Sequence, residues 1–136
     1  MRRLTTTHLF GFFCALILGA LLPSPALAEE WTFVDITDDG AAYFYDAESL
    51  KVSENYAAVW VMWDHTKDKT VKHRTTKDKW ILGCKDETIT IVYTVAYGKN
   101  GNVINSASIP DYLRETDPIV PGSVADIIAK LVCRRK

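Results

Sequence analysis

Three residues in the middle of the chain have side chains that could together support catalysis. Asp64 and His65 are adjacent and Cys84 follows them, so a carboxylate, an imidazole and a thiol could form a nucleophilic site. Only a free cysteine supplies the reactive thiolate, and a disulfide-bonded Cys84 would have none. The sequence also lacks the motifs of phosphate-binding loops, zinc proteases, serine hydrolases and dithiol redox sites. We therefore expect no enzyme activity and no cofactor.

Acidic residues cluster at an early turn, where they could suggest a calcium site: Asp35, Asp38 and Asp39, followed by Gly40. An EF-hand loop requires alternating ligands and a distant bidentate glutamate, and this pattern is missing. An Asp-Gly pair is instead a strong signal for a β-hairpin turn. His65 and His73 alone do not form a zinc-site pattern, and their surroundings favour a loop. We expect no metal site.

A basic stretch is the most suggestive surface in the sequence. Its cations are Lys67, Lys69, Lys72, Arg74, Lys77 and Lys79. Only Asp68 and Asp78 oppose them within the stretch. A basic edge with Trp63 and Trp80 nearby could bind an acidic protein, an acidic glycan or the phosphates of lipopolysaccharide. The alternative is that lysines on an exposed hairpin only prevent edge-to-edge aggregation.

The last residue, Lys136, is a second candidate for binding. A C-terminal lysine carries both an ammonium and the free carboxylate, and plasminogen kringles recognise this pair of charges. The alternative is a frayed, solvated terminus beyond the last cysteine.

The first 28 residues have the three parts of a secretory signal peptide. Arg2 and Arg3 form the positive region, residues 9–22 are apolar, and Ala26-Leu27-Ala28 is a cleavage site. The apolar run is too short to be a good membrane span, so we expect no transmembrane segment. Cys14 lies in the middle of this run, where it cannot serve a lipobox. These features predict a mature domain at residues 29–136 that is exported to the periplasm or the cell surface.

Cleavage would change both the charge and the cysteine count of the chain. The full sequence has 16 basic and 17 acidic residues, and loss of Arg2 and Arg3 leaves 14 against 17. A net negative charge gives no general attraction to nucleic acid. Cys84 and Cys133 remain, and in an oxidising compartment they are expected to form one disulfide.

Alternating apolar residues and turn signals predict a mainly β protein. The expected strands are Trp31–Asp35, Ala42–Asp46, Tyr56–Asp64, His73–Cys84, Thr88–Tyr97 and Val103–Ala107. The sixth strand should pair with the fifth through the turn at residues 98–102. Alternation places one row of side chains on a single face of the fifth strand: Ile89, Ile91, Tyr93, Val95 and Tyr97. Tyr56–Asp64 is apolar on both faces, which indicates a central strand or one covered on both sides.

The remaining segments predict one helix and two connections. Ser123 should cap a helix from Val124 to Cys133 whose apolar face centres on Ala125, Ile128 and Val132. Asp46–Leu50 is expected to form a single helical turn, and Pro110–Pro118 an irregular connection. The fold class is therefore α+β: a meandering antiparallel sheet of about six strands with one C-terminal helix packed on it.

The order of several residues resembles a known family, the bacterial surface-adhesin protein E-like domain. The resemblance is carried by the signal peptide, Trp31, Asp39-Gly40 before Tyr43-Phe44-Tyr45-Asp46, Trp60, Cys84, Gly101, Pro121-Gly122-Ser123 and Cys133. It implies a meandering sheet tied to a C-terminal helix by a disulfide, and an adhesin-like module that contacts host matrix or serum proteins. A periplasmic binding protein for envelope structure or assembly is the alternative. The matching residues are scaffold positions, so the resemblance assigns no binding residue.

Overall fold

Eight strands form one antiparallel sheet within residues 29–133, the part of the chain that this computed structural model describes. The strands are β1 (Trp31–Ile36), β2 (Ala42–Asp46), β3 (Lys51–Val52), β4 (Tyr56–Asp64), β5 (Thr75–Gly83), β6 (Thr88–Tyr97), β7 (Val103–Ser108) and β8 (Thr116–Pro118). The main order is β1-β2-β4-β5-β6-β7, with β3 beside β4 and β8 beside β6. The predicted meander is confirmed. The predicted signal peptide (residues 1–28) and Lys136 lie outside the described residues.

One helix, α1 (Val124–Val132), covers one face of the sheet, which we call the helix-side face. The Ser123 side chain accepts a hydrogen bond from the Asp126 backbone N–H, which caps the helix as the sequence predicts. Ile128 and Val132 are fully buried, together with Val59, Val61 and Leu82 from the sheet. Burial of this apolar surface is the main favourable contribution to folding.

A β-bulge in the pairing of β5 and β6 decides which side chains of β6 lie on the opposite surface of the sheet, which we call the open face. Trp80 pairs with Ile91, but Lys79 pairs with Tyr93, so Val92 is the extra residue. Paired residues share a face, and the bulge therefore moves the later side chains of β6 to the other side. The prediction of a single face from Ile89 to Tyr97 is wrong. Ile89 and Ile91 pack against the core, whereas Tyr93, Val95 and Tyr97 lie on the open face.

Strand β4 is central, as its two apolar faces indicated, but within residues 29–133 it is covered on one side only. Val59 and Val61 are fully buried on the helix-side face. Trp60 and Met62 alternate with them and lie on the open face, where both are partly exposed. The described residues contain a single sheet and a single α-helix, so no second layer packs over these side chains.

Two connections differ from the sequence prediction. Residues 47–50 form a bend instead of a helical turn, because the Asp46 side chain accepts from the Glu48 backbone N–H and β3 starts at Lys51. The segment predicted to be irregular contains a short 3-10 helix (Asp111–Leu113) and strand β8. Strand β8 can form because β7 pairs only with the second half of β6, and this leaves residues 88–90 free for pairing.

Candidate functional site

Four cations from two loops, Lys69, Lys72, Arg74 and Lys99, converge at one end of the sheet, in a cavity that we call the basic loop pocket. Its volume is about 430 Å³. It is lined by His65, Thr66, Asp68, Lys69, Val71, Lys72, His73, Arg74 and Lys99. Alternate loops of a meander lie at the same end of the sheet, so the β4–β5 loop and the β6–β7 loop meet here.

Backbone and side-chain hydrogen bonds hold the β4–β5 loop in a fixed shape. The His65 backbone N–H donates to the Arg74 carbonyl oxygen at 2.8 Å, which closes the base of the loop. The Asp68 carboxylate accepts from the Thr70 backbone N–H at 2.8 Å and from the Thr70 hydroxyl at 2.6 Å. Arg74 N–H donates to the Tyr97 carbonyl and ties the loop to β6. The cations are therefore presented on an ordered loop.

The lysines and the arginine of this pocket are free for a ligand. Lys69, Lys72 and Arg74 are exposed, and so is Lys67 beside the pocket. None of the four forms an ion pair with a carboxylate of residues 29–133. Lys99 belongs to the same surface but was absent from the predicted set. In a meander, the β6–β7 loop that contains Lys99 must lie at the same end of the sheet as the β4–β5 loop. The predicted strand order was therefore sufficient to place Lys99 near the other cations.

The two histidines form the inner wall of the pocket. The His65 ring is buried and its Nε2 lies 3.2 Å from the Thr76 hydroxyl oxygen. The His73 ring stands edge-on to it with centroids 4.9 Å apart. Burial, and then the neighbouring His73, lowers the pKa of His65. His65 is therefore neutral at pH 7 and lines the pocket without adding charge.

Lys77 and Lys79 do not belong to this pocket, because β5 lies in the interior of the sheet and their side chains point to the open face. Lys77 Nζ is 2.5 Å from Glu29 Oε2 and lies 4.9 Å from the Trp31 ring centroid and 5.4 Å from that of Tyr97. Hydrogen bonding to this ammonium lowers the pKa of Glu29. Lys77 thus holds the start of the domain against the sheet by an ion pair and cation–π contacts.

The aromatic neighbours of these two lysines also differ from the predicted ones. Trp63 and Trp80 lie on the helix-side face, because they pair with Tyr43 and Val59 respectively. Lys79 instead pairs with Trp60 on one side and with Tyr93 on the other. The alternation of side chains along β4 and β5 decides which aromatic residues share a face of the sheet with these lysines, and proximity in sequence does not.

No cluster of three or more potential metal ligands occurs within residues 29–133. In the same part of the chain, no helix is long and apolar enough to cross a membrane.

The family model for surface-adhesin protein E matches residues 31–134. The chain belongs to the surface-adhesin protein E family. Residues 31–134 span the whole sheet, the disulfide between Cys84 and Cys133, and the helix, so membership in the protein E family covers every described element. No curated protein sequence matches the chain.

Solved structures of protein E from Haemophilus influenzae have a similar fold. One matches with a TM-score of 0.52 and 18% identity, over 83% of this chain and 90% of the other. A second, from a non-typeable strain, matches with a TM-score of 0.50 and 15% identity, over 82% and 81% of the two chains. At this identity the likeness concerns the fold of the protein E family and does not transfer individual surface residues.

Proposed function

We propose that the mature protein is an exported, non-enzymatic, adhesin-like module that binds anionic groups of a macromolecule through the basic loop pocket. The convergence of Lys69, Lys72, Arg74 and Lys99 from two loops carries this proposal. On a chain with net negative charge, such a local cluster is a specific feature of the surface. An acidic segment of a host matrix or serum protein and an acidic glycan present the same anionic chemistry.

Membership in a family of surface adhesins supports binding over catalysis. The described residues agree with this, because Cys84 is oxidised in a disulfide and follows the end of β5, whereas His65 contacts Thr76 near the start of that strand. The C-terminal Lys136 remains a second candidate contact for a partner protein.

Charge reversal tests the pocket directly. The double variant Lys69→Glu/Lys72→Glu should bind immobilised heparin and an Asp/Glu-rich peptide about tenfold more weakly or worse, because like charges repel across the interface. The matched control is Lys51→Glu/Lys85→Glu, which makes the same change in net charge at exposed lysines outside the pocket. Comparison of heparin with the peptide and with matrix proteins distinguishes glycan from protein ligands. Unchanged binding by the loop variant, or an equal loss in the control, would contradict the proposal.

Export and location are part of the same proposal. N-terminal sequencing of the mature protein should give Glu29 as its first residue, which would establish residues 1–28 as a signal peptide. An adhesin must be reachable from outside, so protease added to intact cells should digest it. Full protection would favour the alternative, a periplasmic binding protein for envelope structure or assembly.

A further inference from the structure

We infer that the open face of the sheet carries a second binding site, a groove for an acidic saccharide chain. The groove consists of two adjoining cavities of about 520 Å³ and 310 Å³. Both are lined by Trp60 and Tyr93, so the groove runs continuously across this pair of rings. It uses a different face from the basic loop pocket and stands independently of the proposed function.

The first reason is that the open face is aromatic although no second layer of residues 29–133 covers it. A sheet with one solvated face normally alternates apolar and polar residues, with the polar ones outside. Here the partly exposed residues include Trp31, Trp60, Tyr93 and Tyr97. A contiguous group of partly exposed aromatic side chains on an uncovered sheet face marks an interaction site.

The second reason is the mixture of groups in the groove. The larger cavity combines the four aromatic rings with polar side chains of Glu29, Asp46, Ser49, Lys77 and Ser106. Sites for small ligands pair apolar walls with a few converging polar groups in this way. A sugar ring has apolar C–H faces that can lie on an aromatic ring and hydroxyls that bond to carboxylates and serines. A flat apolar surface suited to a second protein copy would lack these converging polar groups.

The third reason is the charge at the other end of the groove. The smaller cavity contains Lys79 and Arg114, with Ser108 beside them. Lys79 forms no ion pair with another residue of 29–133, while Arg114 also pairs with Asp111. A cation with no partner next to a stacking platform fits a carboxylate, sulfate or phosphate on the sugar. The geometry therefore assigns stacking to Trp60 and Tyr93 and acid recognition to Lys79.

The two rings shared by both cavities pack against each other. The Trp60 and Tyr93 centroids are 5.6 Å apart and their planes are inclined by 73°, so each ring holds the other in place. Lys79 lies on β5 between the two rings. It pairs with Trp60 on β4 and with Tyr93 on β6. A site on strands is more rigid than one on loops.

The test uses the mature protein and two tetrasaccharide probes, one of alternating glucuronate and N-acetylglucosamine and one neutral, cellotetraose. Tryptophan fluorescence and saturation-transfer NMR should detect both at millimolar concentration, with tighter binding of the acidic probe. Trp60→Ala should weaken both probes about tenfold. Lys79→Gln should weaken only the acidic probe, about threefold. Tyr112→Ala, at an aromatic ring that is 85% exposed and lines neither cavity, is the control and should keep binding of both probes.

Several outcomes would overturn the inference. Binding of neither probe would do so, as would wild-type affinity in both Trp60→Ala and Tyr93→Ala variants whose circular dichroism is native. Loss of saccharide binding in Lys69→Glu/Lys72→Glu but not in Trp60→Ala would move the site to the loop pocket. Sedimentation that shows a dimer disrupted by Trp60→Ala, with no saccharide bound, would assign the open face to a second copy of the chain.

Discussion

Cys84 and Cys133 form a disulfide whose Cα atoms are 5.6 Å apart, although the residues are separated by 49 positions in the sequence. Cys84 directly follows β5 and Cys133 directly follows α1, so the bond joins the end of a central strand to the end of the helix. The bridge lies beside the core, where both cysteines pack partly buried against it. It fixes the helix on the helix-side face and leaves the open face clear.

Removal of the disulfide should lower stability without changing the fold. In the chain-entropy model, a bridge that closes a loop of this length contributes about 4 kcal/mol, and strain or residual structure reduces this value. Cys84→Ser/Cys133→Ser should therefore lower the free energy of unfolding in urea by up to about 4 kcal/mol. Reductant should destabilise the natural protein to the same level and should leave the double variant unchanged. A reductant effect on the double variant would contradict this interpretation.

Position 83 has no room for a side chain, because the Thr88 side chain on β6 lies against it. A Cβ atom at this position would lie 2.4 Å from the hydroxyl oxygen of Thr88, the residue paired with it on β6. Gly83→Ala should lower the free energy of unfolding by about 1–3 kcal/mol, because the overpacked site must shift. The additional variant Thr88→Ala removes the clashing oxygen, so Gly83→Ala should cost much less in that background. Equal costs in both backgrounds, measured by urea unfolding, would show that steric contact is not the cause.

Much of the scaffold could be predicted because its signals are local. Alternation identified the long strands, and the Ser123 cap with its apolar face identified the helix. Strand β8 could not be predicted, because its pairing depends on the space that β7 leaves beside β6. The bulge at Val92 was also missed, although Ile91, Val92 and Tyr93 are three apolar residues in succession that interrupt the alternation with threonine. Such a run does not by itself distinguish a bulge from a strand that is apolar on both faces. One extra residue in a strand reverses the face of all later side chains.

The candidate sites were predicted in part, for the same reason. The basic residues of one loop are adjacent in sequence, and the structure keeps Lys69, Lys72 and Arg74 together. Lys77 and Lys79 continue the same sequence run but enter a strand, where alternation and a central position place them on another surface. The open-face groove is lined by residues of six strands and depends on one bulge, so sequence proximity could not reveal it.

His65 should make stability depend on pH in the weakly acidic range. Burial lowers its pKa in the folded protein, so between that pKa and the unfolded value of about 6.5 the unfolded chain binds more protons. Stability contributed by neutral His65 is therefore lost as pH falls below about 6.5. His65→Gln retains a side-chain donor toward Thr76 but cannot titrate. Urea unfolding at pH 7.5 and 5.5 should show a smaller loss for His65→Gln than for the natural protein. Equal losses would contradict the assignment.

Asp78 should make stability depend on pH in the opposite direction to His65, because it is a carboxyl group buried on the helix-side face of the sheet. It is only 5% exposed, between Val61 on β4 and Thr94 on β6. Burial raises its pKa, and a hydrogen bond from the Thr94 side chain offsets part of this effect. The folded protein therefore holds the proton more tightly than the unfolded chain, and stability is lost as pH rises above the unfolded value of about 3.9.

The variant Asp78→Asn tests this cost of burying a charge. It keeps the shape and a hydrogen-bonding group toward Thr94 but removes the ionisation, so it should raise the free energy of unfolding at pH 7 by about 1 kcal/mol. The gain should shrink as pH falls toward 4, because protonation of the native carboxyl removes the buried charge. Asp86→Asn, at an exposed carboxylate, is the matched control and should change stability little at either pH. The opposite result would be a loss of stability in Asp78→Asn at pH 7 that becomes smaller at pH 4. It would show that favourable contacts hold the ionised Asp78 and would contradict the prediction.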